Sequence, residues 1–173
     1  SGLNSQGSAA VAIGFFSGNS NQGINSIAIG GSAGQTNQQS SAIAIGTVAG
    51  AFGQGTNSIA IGVGCAQTNQ ASNSIAIGVQ AGIGTQGASA VAIGNNAGNF
   101  IQGKNSVAIG AYAGYEYSYT QSNNSIIFNA SGEYTNTRNE NTIVMNATSN
   151  AITVTDSGLY IQPVRMYGDP SNN

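Results

Sequence analysis

A five-residue unit, Ser/Ala-Ile/Val-Ala-Ile-Gly, starts at Ala10 and returns at Ser26, Ala42, Ser58, Ser74, Ala90 and Ser106, each start sixteen residues after the last. A period held that strictly is the mark of a solenoid, in which each repeat makes one coil and rests on its neighbours. Sixteen residues suffice for two short strands and two turns. The chain is therefore expected to be all-β, a flattened parallel roll with one turn of chain per repeat. A chain built this way acts through its surfaces.

Within the unit, large apolar residues alternate with small ones, which is the period-two pattern of a strand. The second slot holds Val11, Ile27, Ile43, Ile59, Ile75, Val91 and Val107. The fourth holds Ile13, Ile29, Ile45, Ile61, Ile77, Ile93 and Ile109. Hydrophobicity predicts that these Ile/Val pairs fill the coil as its core ladder. The alanines between them, Ala12, Ala28, Ala44, Ala60, Ala76, Ala92 and Ala108, would then face outward. One Ile/Val pair per coil is little to set against an ordering entropy of roughly 1–2 kcal/mol per residue. Small outward side chains let another chain approach closely. The Ala ladder is thus expected to be the contact of an obligate self-assembly.

Glycine follows each strand, from Gly14 to Gly110, and returns four residues later at Gly18, Gly34, Gly50, Gly82, Gly98 and Gly114, with Ala66 as the exception. Both ladders predict turns with positive φ. A glutamine ladder runs through Gln22, Gln38, Gln54, Gln70, Gln86 and Gln102. Amides stacked at about 4.8 Å can bond up the column, and they can equally present a polar contact surface. The first nine residues fit the same register, so the chain is expected to be a piece of a longer one.

After Gly110 the pattern loosens. Copies at Ser125–Asn129 and Thr142–Asn146 stand nineteen and then seventeen residues on, with Asn in the Gly slot as the substitute most tolerant of left-handed geometry. Ala151–Thr155 and Gly158–Gln162 read as strands, and Pro163 suggests an edge strand or a turn. Residues 1–114 are read as the roll, and residues 115–173 as a smaller, irregular β region forming a neck or cap. All seven tyrosines lie between Tyr112 and Tyr167.

Charge is scarce, at 5% of residues, and Lys104 is the first charged residue in the chain. No basic patch addresses nucleic acid, and no apolar run is long enough to insert directly into a membrane. The absence of histidine removes imidazole bases and zinc sites, the Gly-rich turns lack a Walker lysine, and the repeat turns lack the Asp of calcium-binding solenoids. Glu133 and Glu140 have only proximity in sequence to suggest a carboxylate pair. Neither enzyme activity, metal nor cofactor is expected. Cys65 stands in a slot held elsewhere by Ser17 and alanines, and reads as a small residue in a tight place. Sequons occur at Asn123, Asn129 and Asn146.

The aperiodic stretch concentrates Tyr112, Tyr115, Tyr117, Tyr119, Tyr134 and Arg138, residue types that supply much of the energy at interfaces and suit sugar rings. These are the candidate ligand-binding residues. The competing reading is that the tyrosines cap the last open edge of the roll.

Asn25–Gly30, Asn57–Gly62, Asn73–Gly78 and Asn105–Gly110 read Asn-Ser-Ile/Val-Ala-Ile-Gly. This closely resembles the heads of YadA-like trimeric autotransporter adhesins over residues 1–114. The resemblance implies a left-handed parallel β-roll, assembly as a homotrimer, and attachment to extracellular matrix or host surfaces. Ser157–Arg165 resembles segments that precede the distal or chaperone domains of viral and phage fibres. Together with uncharged, regular repeats, it leads to the expectation of a virion or phage fibre module, extracellular and bound to a host cell-surface glycan or protein. A bacterial adhesin head on the outer surface and a passive spacer are the alternatives.

Overall fold

The computed structural model describes residues 2–115 and 121–163. Among these residues the chain is a parallel β-solenoid of about ten coils, with no helix. Each regular coil gives one three-residue strand, occasionally two, to each of two sheets. The Ile/Val sheet stacks Val11–Ile13, Ile27–Ile29, Ile43–Ile45, Ile59–Ile61, Ile75–Ile77, Val91–Ile93 and Val107–Ile109 in chain order. It continues without a break through Ile126–Asn129, Ile143–Asn146 and Leu159–Gln162, passing the boundary expected at residue 114. Leu159–Gln162 forms its edge, the first of the two readings of Pro163. Identical slots pair throughout, Ala28 with Ala44 and Ala76 with Ala92. The longer spacings are absorbed in register, Val107 pairing with Ile126 and Ile126 with Ile143.

The Gln sheet stacks Asn4–Gln6, Ser20–Gln22, Thr36–Gln38, Phe52–Gln54, Thr68–Gln70, Thr85–Gln86 and Ile101–Gln102. Among the described residues it goes no further, apart from one bridge from Gln102 to Gln121. Thr135–Thr137 and Ile152–Val154 make a separate two-stranded sheet.

The faces of the Ile/Val strands are the reverse of the expectation. Ala28, Ala44, Ala60, Ala76, Ala92 and Ala108 are 0% exposed in the single chain, and Ala12, near the open end, is half-buried. Ile13, Ile29, Ile45, Ile61, Ile77, Ile93 and Ile109 lie on the opposite, outward face of the pleat, with Ile13 58% and Ile61 36% exposed. The core ladder is therefore alanine, and the alanines are not available to another chain. The reason is space. The interior holds the Ala ladder, the Ala33, Ala49, Cys65, Ala81 and Ala97 ladder, and one glutamine per coil. Two Ile side chains per coil would overpack it.

Each glutamine spans that interior. The Nε2 of Gln38 donates to Ile27 O (2.8 Å), that of Gln54 to Ile43 O (2.6 Å), that of Gln70 to Ile59 O (2.8 Å), that of Gln86 to Ile75 O (2.8 Å) and that of Gln102 to Val91 O (2.7 Å). Some also bond up the column, Gln38 to Gln54 Oε1 at 3.0 Å and Gln86 to Gln102 Oε1 at 3.0 Å. The glutamines are buried struts between the sheets, and they present no surface. Gly50 makes room for one of them: besides its φ of +52°, a Cβ there would stand 2.8 Å from Gln54 Oε1.

Asn129 and Asn146, expected to copy the left-handed glycine, do not adopt positive φ. They end their strands and turn their amides inward, 5% and 2% exposed. Where the Ala ladder gives way to Ile127 and Val144, these shorter amides supply the internal polar contacts.

Left-handed backbone recurs at several corners of the coil, and at one of them it falls on large side chains. Phe16, Ser32, Val48, Gln80, Asn96 and Tyr112 share a position with φ between 54° and 60°. Val48 is the one β-branched residue among them, and left-handed geometry costs a branched side chain most. Val48→Asn should stabilise by about 1 kcal/mol, raising the melting temperature by about 2–4 °C in a calorimetric scan. An unchanged or lowered value would mean that packing of the valine side chain outweighs its backbone strain.

The strut makes a second prediction. In Gln86→Glu, the acid meets the carbonyls of Ile75 and Ala90 where the amide had donated to them. Burial and those oxygens disfavour the carboxylate, so its folded pKa rises above the unfolded value of about 4.3. Stability is then greatest below that value and is lost as pH climbs through the raised folded pKa. Melting curves should show a deficit against the parent that widens from pH 4 to pH 8. A deficit independent of pH would place the side chain in solvent.

Candidate functional site

Three surfaces compete as the working part of this molecule. The first is the outward Ile/Val face. None of its ten strands contains a charged residue. In the last three strands the fourth-slot column enlarges from Ile109 to Phe128, Met145 and Ile161. These four side chains border an apolar cleft of about 400 Å³. Phe15, Val63 and Val79, one residue past the Gly ladder, are exposed and widen the apolar surface.

The second is the aromatic cluster. Tyr115 and Tyr134 stack with centroids 4.8 Å apart and planes inclined by 16°. Tyr112 meets both edge-on, at 5.4 and 5.3 Å, and Phe100 meets Tyr115 at 5.4 Å. The structure thus brings together Tyr112, Tyr115 and Tyr134. Tyr117 and Tyr119 lie outside the described residues. Arg138 is exposed but stands past the far end of Thr135–Thr137 from Tyr134. Phe100 had no place in the sequence-based set, which was drawn from the aperiodic stretch after Gly110, whereas Phe100 lies in the regular coil before it. The rings turn faces and edges to one another, and Tyr134 keeps 51% of its surface exposed.

The third is a polar cleft of about 400 Å³ at the end of the Gln sheet, bordered by Lys104, Asn123 and Glu140. Asn123 is fixed at both ends of its amide. Its Oδ1 accepts from Lys104 N (2.8 Å), and its Nδ2 donates to Glu140 Oε1 (2.8 Å). Spacings of nineteen and seventeen stack these three residues on successive coils. That signal was present in the sequence once the longer coils were measured.

The other two sequons serve the fold. Asn129 Nδ2 donates to Ala111 O (2.6 Å) and Glu133 O (2.7 Å), while its Oδ1 accepts from the hydroxyls of Ser131 (2.6 Å) and Thr135 (3.0 Å). Asn146 Nδ2 donates to Asn150 O (2.9 Å), and its Oδ1 accepts from Thr148 Oγ1 (2.7 Å). Among the described residues no group of His, Cys, Asp and Glu is placed to hold a metal ion.

Cys65 is fully buried, and its Sγ donates to Gly62 O at 3.1 Å. Loss of solvent on burial pushes its thiol up to about 12. Iodoacetamide at pH 8 should leave the folded chain unmodified and alkylate it once denaturant is added, as read by mass spectrometry. Rapid labelling of the native protein would show that this slot opens to solvent.

No family model, curated protein or solved structure matches the chain.

Proposed function

We propose that this chain is a module of a homotrimeric attachment fibre of the virion or phage type, carried on an extracellular surface, with three rolls packed through their Ile/Val faces. The observation that supports this reading is the outward Ile/Val ladder. Two large apolar side chains per coil face solvent along all ten strands of a sheet that bears no charge. At about 4.8 Å per strand the face is roughly 43 Å long. Soluble monomers rarely leave so extended an apolar patch uncovered. Flat sheet faces pack about 10 Å apart, and three of them close into a prism in which each touches both others. The likeness of the repeats to trimeric adhesin heads supports three copies. The fibre-like segment Ser157–Arg165 supports the virion or phage setting. Attachment to a host surface is the role of such a module, and a passive spacer is the outcome if the assembled chain binds no cells.

Light scattering should give a mass three times 17.2 kDa at micromolar concentration. Ile77→Asp buries a charge in the interface, costs about 3 kcal/mol or more per copy, and should dissociate the assembly. Ala76→Leu should instead unfold the roll itself, because it overpacks the coil interior. A soluble, folded monomer of the parent chain would sink the proposal, as would an intact trimer of Ile77→Asp. Binding of labelled trimer to host cells tests the attachment role.

A further inference from the structure

We propose that the polar cleft at the end of the Gln sheet is a saccharide site that takes one or two neutral pyranose rings. The inference rests on the attachment reading and deepens it by giving a ligand class and a place. Among the described residues, Ile101–Gln102 is the last strand of the Gln sheet, and the next coil joins it through the bridge from Gln102 to Gln121. The cleft at this end of the sheet, about 400 Å³, lies in the range of small-molecule sites. A protein partner would need roughly 800 Å² of each surface, which a cleft of this size does not offer.

The lining specifies the ligand. Lys104 is the first charged residue of the chain, and it borders the cleft together with Glu140. The two form no ion pair with each other, and neither Lys104 Nζ nor Glu140 Oε2 has a hydrogen-bond partner among the described residues. Asn123 holds the carboxylate in place through Oε1, leaving Oε2 open. Thr85 and Ser122 border the same cleft. Ile101, 48% exposed, supplies an apolar patch beside these groups. A cation would be repelled by Lys104, and an anion by Glu140. A neutral ring with adjacent hydroxyls can donate to the carboxylate, accept from the ammonium, and lay its C–H face on Ile101. The aromatic cluster is less suited to this task, because Tyr115 and Tyr134 spend one face each on their mutual stack.

Saturation-transfer NMR on the full chain, with D-glucose, D-galactose, N-acetyl-D-glucosamine and N-acetyl-D-galactosamine as probes, tests the proposal. At least one sugar should receive saturation from the parent. Glu140→Gln and Lys104→Met should each weaken binding by about tenfold with unchanged melting temperature, and Tyr134→Ala should leave it intact. Transfer to none of the four sugars would overturn the proposal. So would transfer kept at the parent level in both cleft variants, or lost only in Tyr134→Ala. Cell binding measured on the same proteins separates the two readings. Cells still bound by both cleft variants would discard the cleft as the attachment site and leave attachment standing. A parent that binds no cells would remove attachment, whatever the sugars do.

Discussion

The distance between the two sheets is the length of one glutamine side chain, and most of the structure follows from it. An amide that must reach a backbone carbonyl on the facing sheet fixes how far apart the sheets stand. Opposite it only alanine, serine or cysteine fits, so the interior slots that face the glutamine in the regular coils hold small residues. The larger residues that a hydrophobic interior would take are excluded, and they go outside. A roll of this kind gains little from apolar burial within one chain, since an alanine removes few methyl groups from water. It is held instead by backbone bonds from coil to coil and by a column of internal amides. The most apolar surface is left on the outside of the roll.

That constraint also explains what could be read in advance. The period placed the strands and paired each slot with its counterpart one coil on. Spacings of nineteen and seventeen located the two enlarged coils. Inside and outside were not distinguishable from alternation, because Ile-Ala-Ile is the same pattern whichever side is buried. Hydrophobicity favoured Ile inside and volume favoured Ala, and volume won because sixteen residues cannot enclose two Ile. The deciding signal was the pairing of Gln54 with Gly50 four residues earlier, a side chain and the gap left for its head.

The enlarged coils were harder to read. Asn129 and Asn146 stand in a glycine slot and within a glycosylation tripeptide, yet their role is neither. The Asn-Ala-Ser/Thr sequence folds onto itself, hydroxyl to amide, and closes the coil. The tyrosines near residue 112 were visible as a composition shift, but their partner Phe100 lies one coil earlier, inside the regular repeats, where nothing in the composition marks it. Lys104, Asn123 and Glu140 are scattered along the chain and meet only because the longer spacings bring them into one column.

A stack of interchangeable coils also has consequences for inheritance. Removing or duplicating sixteen residues in the regular part leaves every interior contact with an equivalent and changes the length by one rung of about 4.8 Å. An insertion of one residue within a strand would turn an isoleucine into the coil and an alanine out of it. The near-identical units are natural partners for unequal recombination, which adds or deletes whole units. The gene can therefore lengthen or shorten the roll in fixed steps while its cross-section stays constant, and the fold behaves as a molecular ruler.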